Sequence, residues 1–439
     1  MLGGFLQGDE GLWKAMDPRG LLPIGERERV PKAGGGDGAH LQGEGKGMRE
    51  EEPFIVFGSP AIGEEEIQEV VDSIRSGWLS TGPKVAKFEE LFRNYIGSKH
   101  AIALNSCTAG LHLLLLAAGV GPGDEVLTTP ITFAATANVI FHVGAIPVFA
   151  DVDPKSMNLD PQEMERVLEK RHGKVKAVIV VHLAGRPCQM EPIWKLKERY
   201  GFILIEDAAH AVEAWYKGRK VGCLGDGAAF SFYVTKNLVT GEGGMVTTER
   251  DEWAELIRIL SMHGMSRGAW KRYSSSGYSH YEILYPGFKY NMMDLQAAMG
   301  IHQLAKLELH YRRREEIWRA YDHAFQDLPV QLPPPPEEGT VHARHLYTPL
   351  LQLEGLRIDR DGVLEELKRR GIGTGVHFIS LHLQPFYQKT LGYKELDLPN
   401  AFEISRRTLS LPLSAKLKDE EVERVIRAFR EVLLTNAKD

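Results

Sequence analysis

Seven short runs rich in Val, Ile and Leu punctuate the chain: Ala101–Leu104, Glu125–Thr129, Pro147–Ala150, Ala177–Val181, Phe202–Ile205, Ala228–Phe232 and Met245–Thr248. Continuous apolar runs of this length suit strands buried on both faces, as in mostly parallel sheets covered by helices. Between them lie segments with helical spacing, Glu64–Ser76, Ala109–Ala118, Pro161–Lys170 and Glu191–Tyr200. Asp160-Pro161 reads as an N-cap followed by proline at the first helical position. Farther on, the pattern becomes one long charged helix, Asp294–Gln326, followed by Pro333–Pro336. That proline run is stiff, cannot continue a helix, and marks a junction. Beyond residue 340 a smaller α+β pattern closes on the amphipathic segment Asp419–Leu433. The pattern predicts an α/β fold: a large domain over 53–305 with a mostly parallel central sheet, and a smaller α+β C-terminal domain over 306–439 that includes the connecting long helix.

Residues 1–52 do not share this organisation. Residues 1–47 hold 13 of the 45 glycines and show neither helical nor strand periodicity, so such a stretch buries too little apolar surface to offset its ordering entropy. We expect a disordered leader or a mis-called start, with Phe54-Ile55-Val56-Phe57 as the first structured segment. The alternative is an arm that packs on a partner subunit through Leu12–Trp13 or Leu21–Leu22.

Composition narrows the function. The 439 residues are 43% hydrophobic, enough for a large core. With 53 Lys+Arg against 59 Asp+Glu the formal net charge is −6, which gives no global positive field for a nucleic-acid backbone. No apolar run approaches the roughly 18–20 residues of a membrane span. Three scattered cysteines, Cys107, Cys188 and Cys223, are too few for a disulfide framework or a metal centre. These features describe a soluble, cytoplasmic enzyme.

Ligands of parallel sheets bind beyond the carboxyl ends of the strands, and three such ends in this chain carry candidate chemistry. After the first run, Asn105-Ser106-Cys107-Thr108-Ala109-Gly110 opens a helix whose free N–H groups and dipole favour an anion. Its bland reading is an N-cap by Ser106 or Thr108. Phe202–Ile205 leads into Glu206-Asp207-Ala208-Ala209-His210-Ala211. An acid at a buried strand end needs a partner, which also fits a cap or an internal salt bridge. Next, Ser231-Phe232-Tyr233-Val234-Thr235-Lys236-Asn237 places a lysine among aromatic residues before the Gly241-Glu242-Gly243-Gly244 turn. Such a lysine has a lowered pKa and forms Schiff bases when buried, although an isolated lysine is usually solvated surface. Together, a phosphate cradle, an acid and a lysine at three strand ends suit pyridoxal 5′-phosphate (PLP).

These segments resemble the DegT family of PLP-dependent sugar-nucleotide aminotransferases. Further matches follow in order: Gly77–Pro83, Thr129-Pro130-Ile131-Thr132-Phe133, Val181–Gly185, Gly287–Met292, Gln296-Ala297-Ala298, His377, His382–Tyr387 and Ser410–Leu413. The resemblance covers about residues 54–433. It implies a fold-type I transferase, normally a homodimer with shared active sites. In that reading Lys236 carries the cofactor as a Schiff base and shuttles the proton between its C4′ and the substrate carbon. Asp207 pairs with the pyridine nitrogen, Phe133 stacks on the ring, and His210 lies near the phenolic oxygen. Cys107, Thr108, Ala109 and Ser231 match phosphate-binding positions, and Lys289 reaches the phosphate from the neighbouring subunit. Two departures bear on this. Many relatives carry asparagine where this chain has Lys289, and a lysine there either acts as a point charge or turns outward. The family's dehydratase branch replaces the aldimine lysine with histidine, whereas Lys236 is retained here, which favours transamination.

The resemblance thus implies transfer of an amino group from L-glutamate to a keto group of a nucleotide-linked sugar. C4 is favoured over C3, because Lys236-Asn237 and His382–Tyr387 look more like the C4 branch. The polar stretch His263–Tyr281, with Arg267, Lys271 and Arg272, is either a surface loop or a clamp over the anionic nucleotide-sugar. His377 and His382 are expected to be structural, with no proton role. The alternative function is a non-catalytic regulatory or binding protein retaining the fold, against which the intact Lys236, Asp207 and phosphate segment argue; an amino-acid lyase on the same fold is a more distant third.

Overall fold

The computed structural model describes residues 53–266 and 281–438. The expected leader, and residues 267–280 of the polar stretch His263–Tyr281, lie outside the described residues. The seven apolar runs form a seven-stranded sheet: β1 His100–Leu104, β2 Glu125–Thr128, β3 Ile146–Phe149, β4 Val175–Val181, β5 Ile203–Asp207, β8 Gly227–Ser231 and β9 Gly244–Thr248. The short hairpin strands β6 Trp215–Tyr216 and β7 Arg219–Lys220 lie apart in a separate small sheet. The order is β1-β9-β8-β5-β4-β2-β3. Every pairing from β3 across to β8 is parallel, and β9 alone runs against its two neighbours.

The two-residue period of a strand distributes its side chains to two cores. Val178 and Val180 of β4 enter one apolar layer, while Ala177 and Ile179 enter the other. The first layer packs under the Pro83–Ile96 helix, where Phe88, Phe92, Phe230 and Phe232 meet with ring centroids 5.1–6.1 Å apart. The second lies under the Cys107–Ala117 and Asp251–Leu260 helices.

The long charged helix is Asp294–Ala324. Its N-terminal half contributes Ala297, Ile301, Leu304 and Leu307 to the first core. Its C-terminal half contributes Ile317, Trp318 and Tyr321, joined by the C-cap Phe325, to a third core built with Tyr347, Val425 and Phe429. One rigid helix therefore spans the position 305/306. The Pro333–Pro336 run is held by Arg186, whose guanidinium donates to the carbonyls of Pro334 and Pro335. Among the described residues no helix is long and apolar enough to cross a membrane.

Phe92 is fully buried at the centre of the aromatic cluster. Phe92→Ala is expected to lower unfolding free energy by about 3–5 kcal/mol, read by chemical denaturation; a loss under about 1 kcal/mol would mean that the cluster closes over the void.

Candidate active site

The C-terminal ends of β5 and β8, with two helix starts, enclose a cavity of about 510 Å³, a size suited to a small cofactor with its substrate. At the end of β5 the strand period sends Glu206 and Asp207 to opposite sides. Glu206 is fully buried and accepts N–H groups from Gly222, Leu224 and Gly225 at 2.8–3.0 Å. His182 donates its Nε2–H to Glu206 at 3.0 Å, because its Nδ1 already accepts the Cys188 N–H. Glu206 is thus a structural anchor, and of this pair it is Asp207 that lines the cavity. Burial pushes the Asp207 carboxyl above the usual range, opposed by hydrogen bonds from Thr136 and the Ala209 N–H and by the charge of Lys236.

Lys236 follows β8 in a tight turn, its N–H donating to the Tyr233 carbonyl. Burial pulls its ammonium down to about 8, opposed by Cys107 and Asp207. Its neighbour Asn237 is fully engaged. The amide donates to Glu213 Oε2 at 2.8 Å and to the Ala343 carbonyl at 2.9 Å, and its oxygen faces His345 Nδ1 at 2.9 Å. Glu213 is held in turn by a buried ion pair with Arg314 from the long helix.

After β1, Ser106 caps the Cys107–Ala117 helix by accepting the Ala109 N–H at 3.1 Å. The N-cap expected at Ser106 is therefore present. The N–H groups of Cys107 and Thr108 find no acceptor among the described residues, while that of Ala109 is taken. Phe133 precedes the Ala134–His142 helix and is 66% exposed in the cavity wall. His210 accepts the Ala184 N–H at Nδ1, so its proton sits on Nε2. Burial first, then Lys236, keeps its ring neutral far below the usual histidine range.

Of the residues named from sequence, the cavity brings together Cys107, Thr108, Phe133, Asp207, His210, Ser231 and Lys236. Ala109 is buried behind the turn and Lys289 is exposed outside the lining, its Nζ 3.5 Å from Met262 Sδ. His377 also lines the cavity, pulled down to about 4 by burial and by Lys236, with Nδ1 2.7 Å from Ser410 Oγ. His382 is buried elsewhere, between Ser380 and the Glu395 carbonyl. Sequence reasoning missed Thr136, His345 and Phe378 as lining residues. A hydroxyl one turn into a helix after Phe133 was a readable signal for Thr136. Nothing local marked His345 or Phe378.

A lysine half neutral near pH 8, a buried carboxylate, an aromatic face and open helix N–H groups together suit a phosphorylated cofactor bearing an aldehyde and a basic ring nitrogen. Fold and site thereby define the fold-type I class of PLP enzymes. The chain belongs to the DegT/DnrJ/EryC1/StrS aminotransferase family, whose model matches residues 60–430.

It is 50% identical over 381 residues to SpsC, a spore coat polysaccharide biosynthesis protein of Bacillus subtilis, covering 87% of this chain and 97% of that one. Spr1654 of Streptococcus pneumoniae, known in PMP and PLP forms, superposes with a TM-score of 0.81 in the PMP form at 33% identity, covering 87% of this chain and 99% of that one. PseC of Helicobacter pylori, an aminotransferase involved in pseudoaminic acid biosynthesis, superposes with a TM-score of 0.80 at 28% identity over 88% of this chain and 100% of that one. The chain is thus an aminotransferase, its structural neighbours are sugar aminotransferases, and the family is PLP-dependent.

The residues present fit PLP. The free N–H groups and the small-residue wall at the Ser106-Cys107 turn leave room for a phosphate, and Gly244 keeps that turn in place. A Cβ on Gly244 would stand 2.5 Å from the Cys107 nitrogen and closer still to Ser106. Gly244→Ala must therefore displace the Ser106-Cys107 backbone. We expect PLP affinity to fall at least about tenfold, the order of one charge-assisted hydrogen bond, in a protein that still unfolds cooperatively. Unchanged affinity by absorbance titration would show that the turn does not hold the phosphate.

Proposed function

We propose that this protein transfers an amino group from L-glutamate to the C4 keto group of a nucleotide-linked sugar, as a homodimer with shared active sites. The observation that carries the reading is Lys236 and Asp207 facing one buried cavity from the ends of adjacent strands. PLP supplies an electron sink there that stabilises charge on the reacting carbon. In this reading Asp207 holds the ring nitrogen in its protonated form, Phe133 covers the ring face, and His210 offers its Nε2–H to the phenolic oxygen. Cys107, Thr108 and Ser231 hold the phosphate. Lys236 Nζ anchors the cofactor between turnovers and moves a proton to and from the substrate carbon, a task suited to an amine whose pKa lies near the working pH. Its value of about 8 matches that requirement.

The homodimer assignment draws support from Lys289. It is exposed and outside its own cavity lining, as expected of a residue that serves the partner's phosphate. Exposed apolar side chains at Trp78, Leu79 and Tyr285 supply surface for such contacts. Two half-reactions share the site: glutamate leaves its amino group and departs as 2-oxoglutarate, and the keto-sugar then takes that group. The preference for C4 rests on the Lys236-Asn237 and His382–Tyr387 segments. Three free cysteines suit a reducing, cytoplasmic setting.

The test is to add L-glutamate to the PLP-loaded protein and follow 2-oxoglutarate release and the cofactor spectrum. The band near the visible edge is expected to bleach with one equivalent of 2-oxoglutarate per site, and then to return on addition of a nucleotide-linked 4-keto sugar. Lys236→Ala is expected to lose turnover while retaining bound cofactor. Turnover by that variant at the wild-type rate, or no response of the wild type to glutamate, would contradict the assignment.

A further inference from the structure

Thr132 stands just before Phe133, the N-cap of the Ala134–His142 helix, and Thr136 lies in that helix's first turn. Both are buried, at 2% and 0% exposure. Thr136 Oγ1 donates to Asp207 Oδ2 at 2.7 Å, and Thr132 Oγ1 lies 2.8 Å from Thr136 Oγ1. The far end sets the direction of this chain. An ionised carboxylate only accepts, so Thr136 spends its single proton on Asp207 and is left to accept from Thr132. The other carboxylate oxygen takes the Ala209 N–H at 3.2 Å. The titratable groups that face Asp207 from the surrounding elements are Lys236 after β8, His182 after β4 and Cys107 at its helix start. Cys107 is a buried thiol pushed up by desolvation, and His182 directs its Nε2–H to Glu206 rather than to Asp207; the Thr136 hydroxyl and the Ala209 N–H lower the Asp207 carboxyl more than the charge of Lys236 does. Fixed dipoles must therefore carry much of the stabilisation that this carboxylate needs.

We propose that Thr136, oriented by Thr132, is a positioning residue that holds Asp207 ionised and fixes the edge it presents to the ring nitrogen of PLP. The inference rests on the reading that Asp207 pairs with that nitrogen. The same turn carries Phe133, so one piece of backbone sets both the ring-facing aromatic and the acid's partner. That turn is itself gripped from the C-terminal part of the chain: Leu381 N–H donates to the Pro130 carbonyl at 2.8 Å, and Tyr387 donates to Asn138 Oδ1 at 2.7 Å.

The experiment titrates apo-protein with PLP across pH, reading cofactor absorbance for affinity and thermal unfolding for integrity. Thr136→Val keeps the side chain's size and removes the donor. Losing a hydrogen bond to the charged form raises the proton affinity of Asp207, so as pH falls the carboxylate is lost at a higher pH than in the wild type. We expect PLP affinity to drop about tenfold at neutral pH and the acidic limb of the affinity profile to move up by about one pH unit. Thr136→Ser restores both, and Thr132→Val moves the limb the same way by a smaller step. A Thr136→Val protein that binds PLP with the wild-type affinity and limb overturns the proposal. If Thr136→Val shows no unfolding transition, Thr132→Val decides, and an unmoved limb there overturns it too. Asp207→Asn separates the levels. If it binds PLP as the wild type does, the ring-nitrogen reading fails; if it weakens binding while Thr136→Val does not, the relay alone fails.

Discussion

The site depends on keeping an acid and an amine together out of water. Asp207 and Lys236 lie in one cavity at the ends of adjacent parallel strands, and desolvation moves both toward their neutral forms. Each opposes the other's shift. Such a pair is tolerable only if further groups satisfy the carboxylate, which is what the Thr136 hydroxyl and the Ala209 N–H do. The outcome is a lysine whose ammonium burial pulls down to about 8 and, beside it, a carboxyl whose upward shift those hydrogen bonds oppose.

Much of the surrounding architecture serves to hold those two side chains still. Glu206, one residue before Asp207, ties the end of β5 to the 222–225 loop and to His182. Asn237, one residue after Lys236, is bound on three sides and connects through Glu213 to Arg314. The residues flanking the chemical pair are therefore anchors, and a long helix with a foot in two cores carries the last of them. Rigidity of this kind is what orientation-based catalysis requires.

Much of this was legible in the chain. The apolar runs gave each of the seven main strands to within two residues at either end, and helices such as Glu64–Ser76 and Pro161–Lys170 emerged with the expected limits, because caps and periodicity are local signals. Lys236 and Asp207 were readable because Asp207 ends a buried strand and Lys236 sits in the short segment that follows another. His345 and Phe378, which escaped notice, reach the cavity through long-range packing. His345 belongs to a segment stitched to Ala184 by its backbone N–H, and Phe378 lies some 140 positions from Lys236 along the chain. The different fates of Glu206 and Asp207 followed from strand alternation, which a run of two acids leaves open until the facing layers are known.

The most direct test of the account is to reduce the PLP-loaded protein with borohydride and map the modified residue by peptide mass spectrometry. The account predicts a single phosphopyridoxyl group on Lys236, lost in the Lys236→Ala protein. A stoichiometric modification at another lysine, or none, would contradict it.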